Sequence, residues 1–143
     1  MFNFRLLDKN DFDKKFLSLL SQLTLVGQVS KNNFLKQFKI INSNPFHFIY
    51  VLEDNNLIIS SGTLLIEPKF IHNTGYVGHI EDIVVDQKYR GKNIGKKLIL
   101  FLTDIAKKHG CYKVLLNCSD NKIGFYEKCL FYKNSISMAK YNE

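Results

Sequence analysis

The sequence is poor in the features that mark secreted, membrane-embedded or metal-built proteins. It has only three cysteines, Cys111, Cys118 and Cys129. An odd number without close pairing offers no disulfide framework and fits a reducing compartment. No apolar run approaches the roughly 20 residues that span a bilayer, and the start lacks the basic-then-apolar pattern of a signal peptide. A soluble, intracellular (cytoplasmic) protein without a membrane partner is expected. The four histidines and three cysteines show no metal-ligand spacing, so no metal is expected. Proline is scarce, and no internal repeat or linker appears.

What is present fits a globular chain. With 143 residues, 45% of them hydrophobic and 12 of them Phe, the length is that of one domain (1–143) with a core of its own. The net charge of +7 implies an anionic partner. The lysines are dispersed and no aromatic-and-basic recognition motif occurs, so nucleic acid is not expected. A phosphate-bearing small molecule satisfies the charge equally well.

The rest of the chain is organised around Gly78 to Lys97, GHIEDIVVDQKYRGKNIGKK. A β-branched run, a basic glycine-containing turn and an apolar-periodic segment follow one another. Such a turn lets backbone N–H groups and a helix N-terminus hold an anion; an ordinary strand–loop–helix with a solvated basic loop has the same outline. A nucleotide-binding P-loop is excluded. It needs four residues between its glycines and Ser or Thr after its lysine, whereas three separate Gly91 from Gly95 and Lys97 follows Lys96.

The adjacent acids Glu81 and Asp82 cannot share one face of a regular strand. In a central strand, at least one carboxylate lies among buried groups and needs a partner. Ile80 and Asp82 fall on one face, Glu81, Ile83 and Val85 on the other, and Val84 sits apolar beside Asp82. A bulge explains this slip and frees a backbone N–H. An edge strand with exposed acids is the alternative.

In chain order, Phe2 to Leu7 reads as a strand. Asp8 or Asp11 can cap a helix through Phe12, Phe16, Leu19, Leu20 and Leu23. Thr24-Leu25-Val26-Gly27 then reads as its glycine-terminated end. Ser30 can cap a helix carrying Phe34, Leu35, Phe38 and Ile41. Phe46–Leu52 and Leu57–Ile66 form a hairpin, and Pro68 to Gly75 is a loop, in which Lys69 and His72 taken alone are solvated residues. A helix through Ile94, Leu98, Leu102, Ile105 and Ala106 ends at His109, which serves its C-terminus. Cys111 to Cys118 is a strand, Ser119 or Asp120 caps a short helix, and Phe131 to Met138 closes with a last strand. This order predicts an α/β fold, a mixed, largely antiparallel sheet with helices on both faces.

The run Ile83 to Lys96 resembles the acetyl-CoA motif of the GCN5-related N-acetyltransferase superfamily. Gly78-His79-Ile80-Glu81-Asp82, the RGKNIGK turn, Gly110-Cys111-Tyr112-Lys113 and Phe125-Tyr126-Glu127-Lys128-Cys129 resemble more narrowly its glucosamine 6-phosphate N-acetyltransferase branch. Asn93 stands where the superfamily pattern has its first glycine, as in that branch. The resemblance implies the acyl-CoA N-acetyltransferase fold, with a gap between the fourth and fifth strands for the pantetheine arm. It implies acetyl transfer from acetyl-CoA to an aminosugar phosphate, in UDP-N-acetylglucosamine biosynthesis, by direct amine attack within an intertwined homodimer.

For the site, the resemblance implies cofactor contacts from Ile83, Val84, Val85, Arg90, Gly91, Lys92, Asn93, Ile94, Gly95, Lys96 and Lys128. The oxyanion donor is a backbone N–H near Ile83 and Val84. Tyr126 donates a proton to the thiolate; taken alone it is a core aromatic. Glu81 and Asp82 accept a proton or orient the sugar. Substrate contacts fall to Thr24, Gly27, Lys69, His72, Glu81, Asp82, Tyr112 and Lys113. Asn117 stands where the branch has an acid that orients the amine, and an amide can only hydrogen-bond there. Lys140 is the remaining cation where the branch has a C-terminal arginine. Two further readings of the same residues are an acetyltransferase acting on a peptide or polyamine amine, and a non-catalytic CoA- or nucleic-acid-binding module.

Overall fold

The computed structural model describes residues 2–142; Met1 and Glu143, the ends of the expected domain, lie outside them. Five strands stand side by side in chain order. They are β1 (Arg5–Leu6), β2 (His47–Asp54), β3 (Leu57–Pro68), β4 (Tyr76–Val85) and β5 (Cys111–Leu115). The first four pair antiparallel, and β5 runs parallel to β4. The expected mixed, largely antiparallel sheet is present.

Helix α4 (Ile94–Lys108) covers one face and α1 (Phe16–Leu20) with α2 (Lys31–Asn42) the other. The apolar residues of α4 recur every three or four positions, so Leu98, Leu102 and Ala106 make one stripe. That stripe packs on Leu64, Ile66 and Ile80 of the sheet. On the opposite face, Phe16, Leu19 and Phe34 pack on Val51, Ile58 and Val84. Ile58 and Leu64 on β3, and Ile80 and Val84 on β4, are even numbers of positions apart yet lie in different cores, because a register shift in each strand reverses its faces. No helix among the described residues is long and apolar enough to cross a membrane.

Local chemistry explains most boundaries. Asn55 and Asn56, at φ 49° and 61°, form the two-residue turn between β2 and β3. Ser30 Oγ accepts from the Asn33 N–H at 3.1 Å and starts α2. His109 Nδ1 reaches the Ile105 carbonyl at 3.0 Å at the end of α4. A single turn, α3 (Ile71–Thr74), joins β3 to β4 with His72, Asn73 and Thr74 all left-handed.

Four expectations change. The helix expected after Asp8 is two pieces, a 3-10 turn over Lys9–Lys14 and then α1, separated by Lys15 at φ 59°. The tight turn drives Asp11 inward to 0% exposure. There it receives a forked pair of bonds from Arg5, at 2.8 and 2.9 Å, and the Asp8 N–H at 2.8 Å. The first strand pairs only over Arg5–Leu6, since Phe4 turns its ring onto Phe101, 5.3 Å away. Strand β5 ends at Leu115 rather than Cys118, and Ser119 Oγ contacts Asn121 instead of capping α5 (Ile123–Glu127). Residues 131–138 form no strand. A strand needs a ladder partner, and this segment finds none among the described residues; Tyr132, Ile136 and Met138 are 83%, 91% and 92% exposed.

The Asp11 cluster ties the N-terminal segment to β2, because Arg5 and Lys14 both also bind Glu53. Burial pushes the Asp11 carboxyl up, but the bonds from Arg5 and the Asp8 N–H, with the Arg5 and Lys14 charges, outweigh it and hold it below its ordinary value. A carboxyl lowered by folding stabilises the fold fully above its unfolded value, about 3.9. That contribution is lost as pH falls through the lower folded value. Removing one partner of a buried pair costs about 3–5 kcal/mol. Arg5 is partly exposed and keeps Glu53, so Asp11→Asn should cost about 2–3 kcal/mol at pH 7. Denaturant unfolding at pH 7 and pH 3 checks this, and the variant should lose less stability than the parent between those values.

Candidate active site

The ladder between β4 and β5 runs from Tyr76 and Cys111 to His79 and Leu115 and then stops, although β4 continues to Val85. Beyond that point the two strands part. The gap opens into a cleft of about 1020 Å³ whose walls include His79, Glu81, Lys113, Asn117 and Tyr126.

At the gap, β4 is irregular. Glu81 pairs with Thr63 and Val84 with Ser61, so Asp82 and Ile83 together oppose Gly62. This is a bulge, with Asp82 at φ 52°. It explains the slipped alternation: Ile83 packs with the α4-side core and Val84 with the α1 side. Gly62 leaves room at the bulge: a Cβ there would stand 2.5 Å from Ile83 Cδ1, which would have to shift. The two acids are separated as well. Glu81 borders the large cleft and also a second, mostly apolar cavity of about 410 Å³ beneath α1 and α2; Asp82 borders only the second.

After β4, Asp86 caps a 3-10 turn (Gln87–Tyr89) by accepting from the Lys88 N–H at 2.8 Å. The Tyr89 hydroxyl donates to Asp54 at 2.6 Å, and Arg90 Nε donates to the Val85 carbonyl at 3.2 Å. Gly91 and Asn93 are left-handed, at φ 80° and 64°. Asparagine is among the few non-glycine residues that tolerate this region, so Asn93 keeps the turn where the superfamily pattern has glycine. No side chain caps the N-terminus of α4, which leaves its first N–H groups for an anion. Lys92 lies over the Tyr89 ring, 5.1 Å from its centre. Val84 and Ile94 are buried in the cores, so only their backbone faces the turn; Ile83 and Val85 pack partly. Gly95 admits α5 to this end of α4, its Cβ position lying 3.3 Å from Phe125 Cζ. Lys96 is half-buried and Lys128 exposed.

Tyr126 lies on α5, half-buried, edge-on to Phe125 and Phe131 with ring centres 5.0 and 6.3 Å away. Burial, then the nearby thiols of Cys118 and Cys129, push its phenol up, which keeps it protonated at neutral pH. Asn117 is exposed in the same cleft. At the far end of β5, His72 stacks on Tyr112 at 4.0 Å, and Lys113 Nζ is 5.8 Å from that ring. Lys69 pairs with Glu67 at 3.0 Å, and the other Glu67 oxygen meets His79 Nε2 at 3.0 Å. Thr24 and Gly27 line neither cavity; they sit in the loop after α1, which ends at Leu20, so Gly27 is no helix stop.

The structure therefore brings Glu81, Lys113, Asn117 and Tyr126 together in one cleft, links the turn from Arg90 to Lys96 to it through the packing of Gly95 on Phe125, and leaves Lys69, His72, Tyr112, Thr24 and Gly27 off its lining. The Glu67–His79 pair escaped the sequence reading. The two-residue spacing of His79 and Glu81 put both on one strand face, but Glu67 joins them only through the β3–β4 register. Gly62→Ala should cost about 1–3 kcal/mol by overpacking, and Gly62→Ala/Ile83→Val, which removes the nearest clashing atom while Leu98 and Leu102 stay close, should recover part of it. Denaturant unfolding with amide exchange at residues 82 and 83 reads both effects.

Comparison with known proteins agrees with this geometry. The acetyltransferase (GNAT) family model matches residues 15–131. The glucosamine 6-phosphate N-acetyltransferase of Arabidopsis thaliana is 46% identical over 98% of this chain and 96% of its own length. Glucosamine 6-phosphate N-acetyltransferase 1 of Dictyostelium discoideum is 44% identical over 97% and 90%. The crystal structure of the Arabidopsis enzyme superimposes with a TM-score of 0.96, covering 100% of this chain and 99% of that one.

Proposed function

This chain belongs to the GNAT family of acetyltransferases, and on that premise we propose that it transfers the acetyl group of acetyl-CoA to the amine of D-glucosamine 6-phosphate. The observation that carries the reading is the parting of β4 from β5 beside a basic turn and a helix N-terminus without a side-chain cap. The products are N-acetylglucosamine 6-phosphate and CoA, the former feeding UDP-N-acetylglucosamine synthesis. One acetyltransferase domain, 1–143, does this in the cytoplasm; the free thiols of Cys111, Cys118 and Cys129 support that compartment.

Acetyl-CoA fits the residues present. Backbone N–H groups from Gly91 to Lys96 hold the pyrophosphate, with Arg90, Lys92 and Lys128 adding charge. Ile83, Val84 and Val85 contribute backbone to the pantetheine arm as the strands part. The sugar phosphate lies toward Lys69, His72, Tyr112 and Lys113, of which Lys113 lines the cleft; Thr24 and Gly27 contact the substrate from the loop after α1. Glu81 and Asp82 orient the sugar and take the amine's proton, through water where needed, and Asn117 hydrogen-bonds the amine.

The uncharged amine attacks the thioester carbon. The carbon–sulfur bond breaks, and the carbonyl oxygen's charge is held by the N–H freed at the Asp82–Ile83 bulge. Tyr126 donates to the departing thiolate. The working form is a homodimer. Its support is the 131–138 segment, which carries apolar side chains into solvent and lacks a ladder partner among the described residues. Sedimentation should give twice the chain mass, and a monomer at micromolar concentration would remove this part of the proposal.

Thiol release from acetyl-CoA, with glucosamine 6-phosphate, glucosamine or a lysine peptide as acceptor, tests the substrate. Strong preference for the phosphosugar is expected. Indifference to the phosphate, or activity on the peptide alone, overturns the assignment while keeping the family. With the preferred acceptor, Tyr126→Phe should lower kcat about 10²-fold with CoA affinity little changed; an unchanged kcat removes Tyr126 from the chemistry.

A further inference from the structure

One side chain joins the two loops to which the proposed reaction assigns different substrates. Gln22 lies in the turn after α1, two positions before Thr24. Its Nε2 donates to Asp86 Oδ2 at 3.2 Å, and its Oε1 accepts from the Gln87 N–H at 2.9 Å, across 64 and 65 residues of sequence. Both ends of this bridge are anchored. The Gln22 N–H binds the Leu19 carbonyl at 3.0 Å and the Thr24 N–H binds the Leu20 carbonyl at 3.2 Å. Asp86 accepts from the Lys88 N–H with its other oxygen, and its own N–H binds the Ile59 carbonyl at 2.8 Å.

The chemistry of the bridge is selective. It requires an acceptor for a backbone N–H and a donor to a carboxylate on one side chain, which a primary amide provides. A carboxylate in that place would face Asp86 with like charge. Asp86 and Gln87 are also where β4 hands over to the anion-binding turn, so the amide fixes the root of that turn.

We propose that Gln22 is a positioning residue that locks the loop carrying Thr24 and Gly27 to the turn from Arg90 to Lys96, so that CoA and the acceptor bind cooperatively. The inference rests on the acetyltransferase reading above. Ordering either loop on its ligand orders the other through the amide, and by linkage each ligand tightens the other by the same factor.

The test compares the parent with Gln22→Ala, Gln22→Glu and Gln22→Glu/Asp86→Asn. The readouts are CoA affinity by calorimetry, with and without glucosamine 6-phosphate, then KM and kcat, and the thermal midpoint. Gln22→Ala should weaken CoA about 3- to 10-fold, as expected for loss of two exposed hydrogen bonds that act on the turn rather than on the ligand itself. It should also abolish the affinity that the phosphosugar adds, and raise KM for acetyl-CoA by a larger factor than kcat falls. The midpoint should stay within about 2 °C, as for a surface change.

Gln22→Glu should be worse. The double variant should return toward the parent, because the introduced amide donates to the introduced carboxylate and still accepts from the Lys88 N–H. Parent-like CoA affinity in Gln22→Ala, failure of the double variant to recover, or a lowered midpoint that accounts for the affinity loss would each overturn the proposal. A parent that binds CoA but is inert toward glucosamine 6-phosphate refutes the acceptor instead. The CoA affinities of the three variants then still decide whether Gln22 positions the turn.

Discussion

Strands β4 and β5 stop pairing at His79 and Leu115, and the architecture of the site follows from that break. A parallel pair that continued would satisfy the outer edge of β4 and close the sheet. By parting, the strands leave β4 backbone groups without a ladder partner on that side, a cost tolerated where a ligand or water can supply the bonds. The bulge at Asp82 and Ile83 lies on the same stretch, so the free edge and the irregular backbone coincide. Gly62 eases both: without a Cβ, β3 lies against a strand whose extra residue drives Ile83 toward it without displacing that side chain.

Much of this was legible in the sequence because it is written in local terms. The slip between Glu81, Asp82 and Val84 is a period-two pattern that fails at one residue, and a bulge repairs such a failure. The α4 stripe, the Asn55–Asn56 turn, the Ser30 cap and His109 at a helix end are equally local. Asn93 kept its place in the turn because left-handed backbone, rather than glycine itself, is what the position demands.

The rest depended on partners distant in the chain. Asp11 read as one of two possible helix caps, but Arg5, itself held by Glu53, binds it in the interior, and the helix is split at Lys15. The Glu67–His79 contact needs the hairpin register, and the Gln22 bridge needs the packing of α1 against the sheet. Residues 131–138 show the limit most clearly. Their composition suits a strand, but strand is a property of a pair, and the described residues hold no second member for it.

The environment of Tyr126 bears on how the proposed transfer ends. Burial against Phe125 and Phe131 keeps the phenol protonated, as a donor must be. The same burial opposes full transfer. A thiol loses its proton near pH 8.5 and an ordinary phenol near pH 10, and each pH unit between donor and acceptor costs about 1.4 kcal/mol. With its phenol raised further, the proposed donation from Tyr126 can proceed only as negative charge builds on the departing sulfur. The nitrogen supplies what is missing: once bonded to the acetyl carbon it is a far stronger acid than the free ammonium. A proton that leaves nitrogen as the carbon–sulfur bond breaks can replace one passed from Tyr126 to sulfur. The phenol then finishes the reaction in the form in which it began. Asn117 shares the cleft wall with Tyr126, and in the proposed role of hydrogen-bonding the amine an uncharged amide can accept and donate without holding the proton.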